Sequence, residues 1–284
     1  MIRNNKSGLL LLEGYVYTNL HIAVSAGVFL SGGFRLFDLM LDWHMILLIS
    51  AATFSAYALH RIIGSWVYKV DQEIPRFQYL HKYRKLFYTL IGLATSISLG
   101  CLISLNSQKI YWLLPMALVT ALYIVPINGI RWLREFSYIK IFLLSTVWAY
   151  VFVLPVLSSE LNTTVEWYVI SMVFAEKFLF VLALCIPFDI RDQKHDDQAG
   201  LKTLATAFSQ NGTDRLIHGC TVICLCLVFL LYTLDLYDGL LSGFLVLFYI
   251  VLNRATIRSR GKKDLYFQGV LDGLILLQGF IHFL

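Results

Sequence analysis

Nine apolar stretches dictate most of what this chain can become: Tyr17–Phe34, His44–Gly64, Leu86–Leu105, Ile110–Ile127, Tyr138–Leu157, Trp167–Phe188, Leu216–Leu234, Gly239–Asn253 and Leu265–Leu284. A helix needs about 20 mostly apolar residues to cross the hydrocarbon core of a bilayer. The expected architecture is therefore all-α, a polytopic membrane bundle of about nine transmembrane helices forming one integral membrane domain over residues 1–284. Composition agrees, because only 14% of the residues are charged, against roughly 25% in an ordinary soluble domain.

The few charges are distributed by loop. Lys and Arg near helix ends are retained on the cytoplasmic side. Arg3, Lys6, Lys69, Arg76, Lys82, Arg84, Lys85, Arg131, Arg134, Arg191, Lys194, Lys202 and Arg215 follow or flank alternate spans, as do Arg254 to Lys263 after the eighth. The intervening loops hold Arg35 and Lys109 beside Asp38, Asp42, Glu160, Glu166, Asp235 and Asp238. The N-terminus is thus expected in the cytoplasm. The net charge of +5 belongs to topology and to anionic lipid, with no nucleic-acid partner implied. Cys101, Cys185, Cys220, Cys224 and Cys226 sit in apolar segments and make neither a disulfide framework nor a metal set.

Against this scarcity of charge, Phe188-Asp189-Ile190-Arg191-Asp192-Gln193-Lys194-His195-Asp196-Asp197 is conspicuous. On a helix, Asp189, Asp192 and Asp196 fall on one face, offset by three and then four positions. Such a stripe repels itself unless a hard cation neutralises it. Mg²⁺ held by one or two carboxylates plus substrate phosphates is the usual arrangement, so the stripe reads as a metal-diphosphate site facing the cytoplasm. The bland alternative is a solvated loop after a membrane helix. Asp197 lies off the stripe.

With Gly200-Leu201-Lys202-Thr203-Leu204-Ala205 following it, the Asp189-x-x-Asp192-x-x-x-Asp196 pattern resembles the second aspartate motif of the UbiA superfamily of intramembrane prenyltransferases. The form is similar to that of the menaquinone and chlorophyll-type branches. Nine spans, with this motif after the sixth, also match the family plan. The resemblance implies a helical barrel in which two Asp-rich motifs bind Mg²⁺ and an isoprenyl diphosphate. Ionisation would give an allylic cation that alkylates an aromatic or other lipophilic acceptor, or cyclises. Mg²⁺ and Lys or Arg clamps would stabilise the departing diphosphate. Lys202 is the expected clamp, because Arg191 lies on the opposite side of a continuous helix from Asp189 and Asp192.

The departure from the family lies at Ala56-Tyr57-Ala58-Leu59-His60-Arg61-Ile62-Ile63-Gly64, where the first aspartate motif should fall and no carboxylate is present. His60 and Arg61 put a titratable group and a fixed positive charge there instead. Three readings stay open for Arg61: it binds diphosphate in place of one Mg²⁺, it pairs with the Asp cluster, or it anchors a helix end at the headgroups.

Three further charges interrupt apolar runs: Glu176 and Lys177 in the sixth span, and Asp272 in the ninth. Intramembrane charges usually face the protein interior or a wet cavity. Glu176 and Lys177 point about 100° apart and so are not an ideal pair with each other. Both, with Asp272, are candidates for lining a substrate chamber, with structural pairing as the alternative. The function expected is transfer of a prenyl group, an alkyl group other than methyl, to an acceptor. The alternatives are a non-catalytic UbiA-like ligand-binding or structural membrane protein, a terpene-cyclase-type member and, more weakly, a transporter.

Overall fold

The computed structural model describes residues 3–67, 74–124, 139–159, 165–198 and 204–284, and every regular element among them is helical. In chain order these are α1 (Arg3–Tyr17), α2 (Leu20–Leu36), α3 (Trp43–Val67), α4 (Pro75–Lys82), α5 (Arg84–Ile103), α6 (Ser107–Ile124), α7 (Ile139–Leu157), α8 (Trp167–Gln198), α9 (Leu204–Ala207), α10 (Gln210–Thr233) and α11 (Gly239–Ile257). A π-helical segment, Tyr266–Leu271, leads into α12 (Asp272–Ile281).

Each of the nine apolar stretches coincides with a helix in its described part. Six helices, at Trp43–Ser65, Arg84–Ile103, Ile139–Leu157, Trp167–Gln193, Gln210–Thr233 and Gly239–Ile257, are long and apolar enough to cross a membrane. Leu20–Leu36 and Tyr266–Ile281 are shorter apolar helices. The protein is an integral membrane protein. Three helices fall outside the apolar pattern. Two are α1 and the four-residue α9; the third is α4, which starts with Pro75 in its first turn, where no backbone N–H is needed, and buries Phe77 and Leu80, three residues apart on one face.

The chain divides into two compact units. Unit 1 comprises Met1–Val28, Asp42–Leu105 and Lys262–Leu276. Its core joins Ala23 of α2 to Phe54, Ala58 and Ile62 of α3, Phe77 and Leu80 of α4, and Phe87 and Ala94 of α5. The small residues at 58 and 94 let the helix backbones approach, as is common where lipid removes the hydrophobic drive for association.

Unit 2 comprises Phe29–Leu41, Asn106–Gly261 and Leu277–Leu284. At its centre Phe29 packs against Trp148, Phe152 and Phe180, with ring centroids 5.9, 4.9 and 6.2 Å away. Gly33 makes this possible. A Cβ there would stand 2.0 Å from the Phe152 carbonyl oxygen, a backbone atom with nowhere to go, so α2 lies against α7 only because position 33 has no side chain. Helices α10 and α11 are started by side-chain caps. Ser209 Oγ accepts from Gly212 N at 3.2 Å and Asp238 Oδ1 from Leu241 N at 2.7 Å, satisfying N–H groups a helix start leaves open.

Candidate functional site

Helix α8 continues ten residues beyond the apolar run that ends at Phe188, through to Gln198. The backbone therefore keeps Asp189, Asp192 and Asp196 on one stripe. Asp189 is only 2% exposed, and its Oδ1 receives Lys140 Nζ at 2.6 Å. Lys140 is the second residue of α7, so the start of that helix supplies the counter-charge for the end of α8. Asp192 is held by its neighbour: Arg191 Nε donates to Oδ1 at 2.8 Å and Nη2 to Oδ2 at 2.9 Å. The same guanidinium lies 5.1 Å over the Phe188 ring.

This corrects the placement of Arg191 away from the stripe. Cβ directions separate residues 191 and 192, but the long Arg stem folds back over Phe188 and brings its fork to the carboxylate. Lys202 lies outside the described residues, as does the side chain of Asp196.

Among the described residues no three His, Cys, Asp or Glu side chains group as a metal cage. Mg²⁺ does not require one, since it binds through one or two carboxylates and completes its shell with water and substrate phosphate. Asp189 and Asp192, hard oxygen donors one turn apart, fit that chemistry in kind. What they lack is vacant charge, because each already carries a cation.

In unit 1, Arg61 is turned inward. Its Nη1 donates to the Tyr17 carbonyl at 2.5 Å and Nη2 to Gln268 Oε1 at 3.4 Å, so it ties α3 to the end of α1 and to the π segment. A headgroup anchor would point the other way. His60, its neighbour, is half-buried. The π segment re-aims backbone groups, and His21 Nε2 donates to the Gly269 carbonyl at 3.1 Å. Asp272 follows directly as the first residue of α12 and is half-buried.

The third constellation lies deep in unit 2. Glu176 and Lys177 are both 0% exposed and, although their Cβ directions do not favour it, pair with each other: Lys177 Nζ is 2.7 Å from Glu176 Oε2. The 100° rule governs Cβ vectors, whereas a four-carbon Lys stem in an apolar interior bends to the nearest carboxylate. The Tyr237 hydroxyl donates to Oε2 at 3.0 Å, and the Tyr249 hydroxyl donates to Oε1. Lys177 also donates to His282 Nε2 at 3.2 Å and sits 4.4 Å over the Phe152 ring.

A sequence profile of the UbiA prenyltransferase family matches residues 81–269, well over half of the chain. The chain belongs to that family. Solved structures match nearly its full length. A UbiA homolog from Archaeoglobus fulgidus bound to GPP and Mg²⁺ matches with a TM-score of 0.65 at 13% identity, covering 95% of this chain and 99% of that one. The apo structure of a UbiA homolog from Aeropyrum pernix K1 also gives 0.65, at 15% identity and 92% and 94% coverage. A structure described for digeranylgeranylglyceryl phosphate synthase gives 0.57, at 14% identity and 95% and 97% coverage. No curated protein matches the sequence. At these identities the likeness is one of fold.

Within the UbiA family match, α8 and its Asp stripe lie inside residues 81–269, whereas His60 and Arg61 lie before it. Sequence reasoning missed Lys140, whose only signal was a lone cation at the start of an otherwise uncharged span. It also missed Tyr237 and Tyr249, two of many tyrosines, which nothing in their own neighbourhoods marks as partners of Glu176.

Proposed function

We propose that this UbiA-family protein binds an isoprenyl diphosphate with Mg²⁺ at the cytoplasmic end of α8 and transfers the prenyl group to an aromatic or other lipophilic acceptor. The observation that carries this reading is the pair of carboxylates one turn apart, each held by a donor cation, Asp189 by Lys140 and Asp192 by Arg191. Homologs of this fold bound to DMAPP or GPP with Mg²⁺ support it. Bound there, Mg²⁺ would draw charge off the diphosphate oxygens and make diphosphate a better leaving group.

The chain's own residues supply the rest. Lys140 and Arg191 exchange a carboxylate oxygen for a phosphate oxygen without loss of a charge-assisted bond. Asp189 and Asp192 are thereby freed to face the metal, with Asp196 the third candidate ligand. Arg61, His60 and Lys202 are the further diphosphate-binding candidates, with Arg61 the fixed charge where the family's first motif would supply carboxylates. The apolar interior keeps water from the allylic cation until the acceptor captures it, and aromatic faces steady the charge.

Asp192→Ala is expected to weaken Mg²⁺-dependent binding of geranyl diphosphate by roughly tenfold, from the loss of one charged ligand, with the melting temperature little changed because Asp192 is partly exposed. Titration of the detergent-purified variant decides this; unchanged Mg²⁺-dependent affinity in both Asp192→Ala and Asp196→Ala would remove the site. The orientation rests on the Lys and Arg asymmetry. Single cysteines near Asp192 and near Glu166 should label from opposite sides of a sealed vesicle, and labelling from one side would overturn it.

A second reading draws on the same pairs. Asp189 and Asp192 with their cations satisfied, and no acids at positions 56–64, suit a family member that holds a ligand or its own helices without ionising a substrate. Turnover with a panel of isoprenyl diphosphates and phenolic acceptors separates the two.

A further inference from the structure

Helices α10 and α11 meet in a polar junction at the edge of their apolar stretches. Asn253 Nδ2 lies 3.2 Å from Thr221 Oγ1 and 3.1 Å from His218 Nδ1. The Thr221 hydroxyl hydrogen is committed to the Ile217 carbonyl at 2.9 Å, so its oxygen accepts and the Asn253 amide must present its NH₂. The same NH₂ then donates to His218 Nδ1, which leaves the imidazole proton on Nε2. His218 is exposed, and that N–H has no partner among the described residues. His218 is the third residue of the apolar stretch Leu216–Leu234, and Asn253 is the last of Gly239–Asn253. Both therefore stand where hydrocarbon gives way to headgroups, and an unsatisfied donor there is costly.

Cations stand just outside this junction. Arg215 lies three residues before His218 on α10, and Arg254 follows Asn253 on α11. Both are exposed, and neither has an ion-pair partner among the described residues. The only acid in either helix is Asp214, which is already taken: Arg260 Nη1 donates to its Oδ2 at 2.9 Å. Inward of the junction the exposed side chains turn apolar, with Val222 and Phe229 on α10 and Ile250 and Val246 on α11. Val222 is one turn from His218, and Ile250 is one turn from Arg254, so each apolar wall continues the face of its polar group. From His218 to Phe229 the helix rises about 16 Å at 1.5 Å per residue, close to half of a hydrocarbon core of about 30 Å.

We propose that the outer groove between α10 and α11 binds an anionic glycerophospholipid. Arg215 and Arg254 take the phosphate, His218 Nε2 donates to an acyl ester carbonyl, and an acyl chain lies along Val222, Phe229, Val246 and Ile250. Going inward, the groove presents cations, then a neutral donor, then an apolar wall. That is the order of phosphate, ester and chain along such a lipid. A net negative headgroup is favoured, because two guanidinium groups here meet no free acid from either helix. A soluble phosphate ester would meet the cations and leave the donor and the wall unused.

The test counts lipids bound to detergent-purified full-length protein by native mass spectrometry. Diester phosphatidylglycerol, its diether analogue and diester phosphatidylcholine with the same chains are titrated separately, without Mg²⁺ or diphosphate, so the outcome is independent of the Asp stripe. Diester phosphatidylglycerol should bind most tightly. Each cation near a membrane surface contributes about 1 kcal/mol, or roughly fivefold. The double variant Arg215→Gln, Arg254→Gln should therefore lose about thirtyfold in phosphatidylglycerol affinity. The double variant Arg84→Gln, Lys85→Gln, which removes two exposed charges from α5, should keep the parent's affinity. The diester should bind roughly fivefold more tightly than the diether, the worth of one neutral hydrogen bond. His218→Phe should erase that difference and retain the preference for phosphatidylglycerol over phosphatidylcholine. Equal affinity of the parent for those two headgroups, an equal loss in both double variants, or a diester preference that survives His218→Phe would overturn the proposal.

Discussion

Replacing Lys177 with Ala is expected to destabilise the protein by about 3–5 kcal/mol, the cost of leaving a buried carboxylate without its cation. Glu176 is 0% exposed and would keep only the Tyr237 and Tyr249 hydroxyls. Those phenols solvate the charge but do not neutralise it. Glu176→Leu should be similarly harmful, because it strands the ammonium between His282 and the Phe152 ring. The double replacement Glu176→Leu, Lys177→Met is expected to recover most of the loss, since a buried ion pair often contributes no more than apolar residues of like volume. Thermal unfolding of the three variants in detergent measures this. Single variants as stable as the parent, or a double variant worse than either single, would show that the pair is not the closed electrostatic unit its geometry describes.

That pair also marks where sequence reading stops working. Hydropathy is a local property, so the apolar stretches could be read directly, and each coincides with a helix where the structure describes it. The Asp stripe was legible for the same reason, since offsets of three and four on one helix need no partner element to have meaning. The continuation of α8 past Phe188 follows from residues such as Arg191, Gln193 and Lys194, which are good helix formers even though they end the apolar run.

Contacts set by long side chains and remote elements were not legible. Glu176 and Lys177 point apart at Cβ and meet at their tips, because in an apolar interior the electrostatic cost of staying apart exceeds the cost of a bent stem. Arg191 reaches Asp192 by a similar excursion. Lys140 reaches Asp189 across 49 positions of sequence, and a single sequence carries no record of that pairing. The π segment was equally invisible: nothing in Tyr266-Phe267-Gln268-Gly269 announces that a wider turn there will present the Gly269 carbonyl to His21 and Gln268 to Arg61.

Arg61 is the residue on which the family departure turns, and Arg61→Ala is expected to lower isoprenyl diphosphate affinity by roughly ten- to a hundredfold. That range corresponds to about 1.5–3 kcal/mol for a lost hydrogen bond from a charged group. The guanidinium already has structural work, donating to the Tyr17 carbonyl and to Gln268, so a loss of stability by itself proves nothing about substrate. Arg61→Lys provides the control. It keeps the charge but loses the planar fork that reaches two acceptors at once. If Arg61 binds phosphate, Lys should restore much of the affinity even where melting temperature stays low; if it only ties α3 to α1 and the π segment, both variants should melt early and bind geranyl diphosphate as the parent does. Normal affinity in Arg61→Ala would end the idea that a cation replaces the missing carboxylates, and His60 would be the remaining group at that position to test.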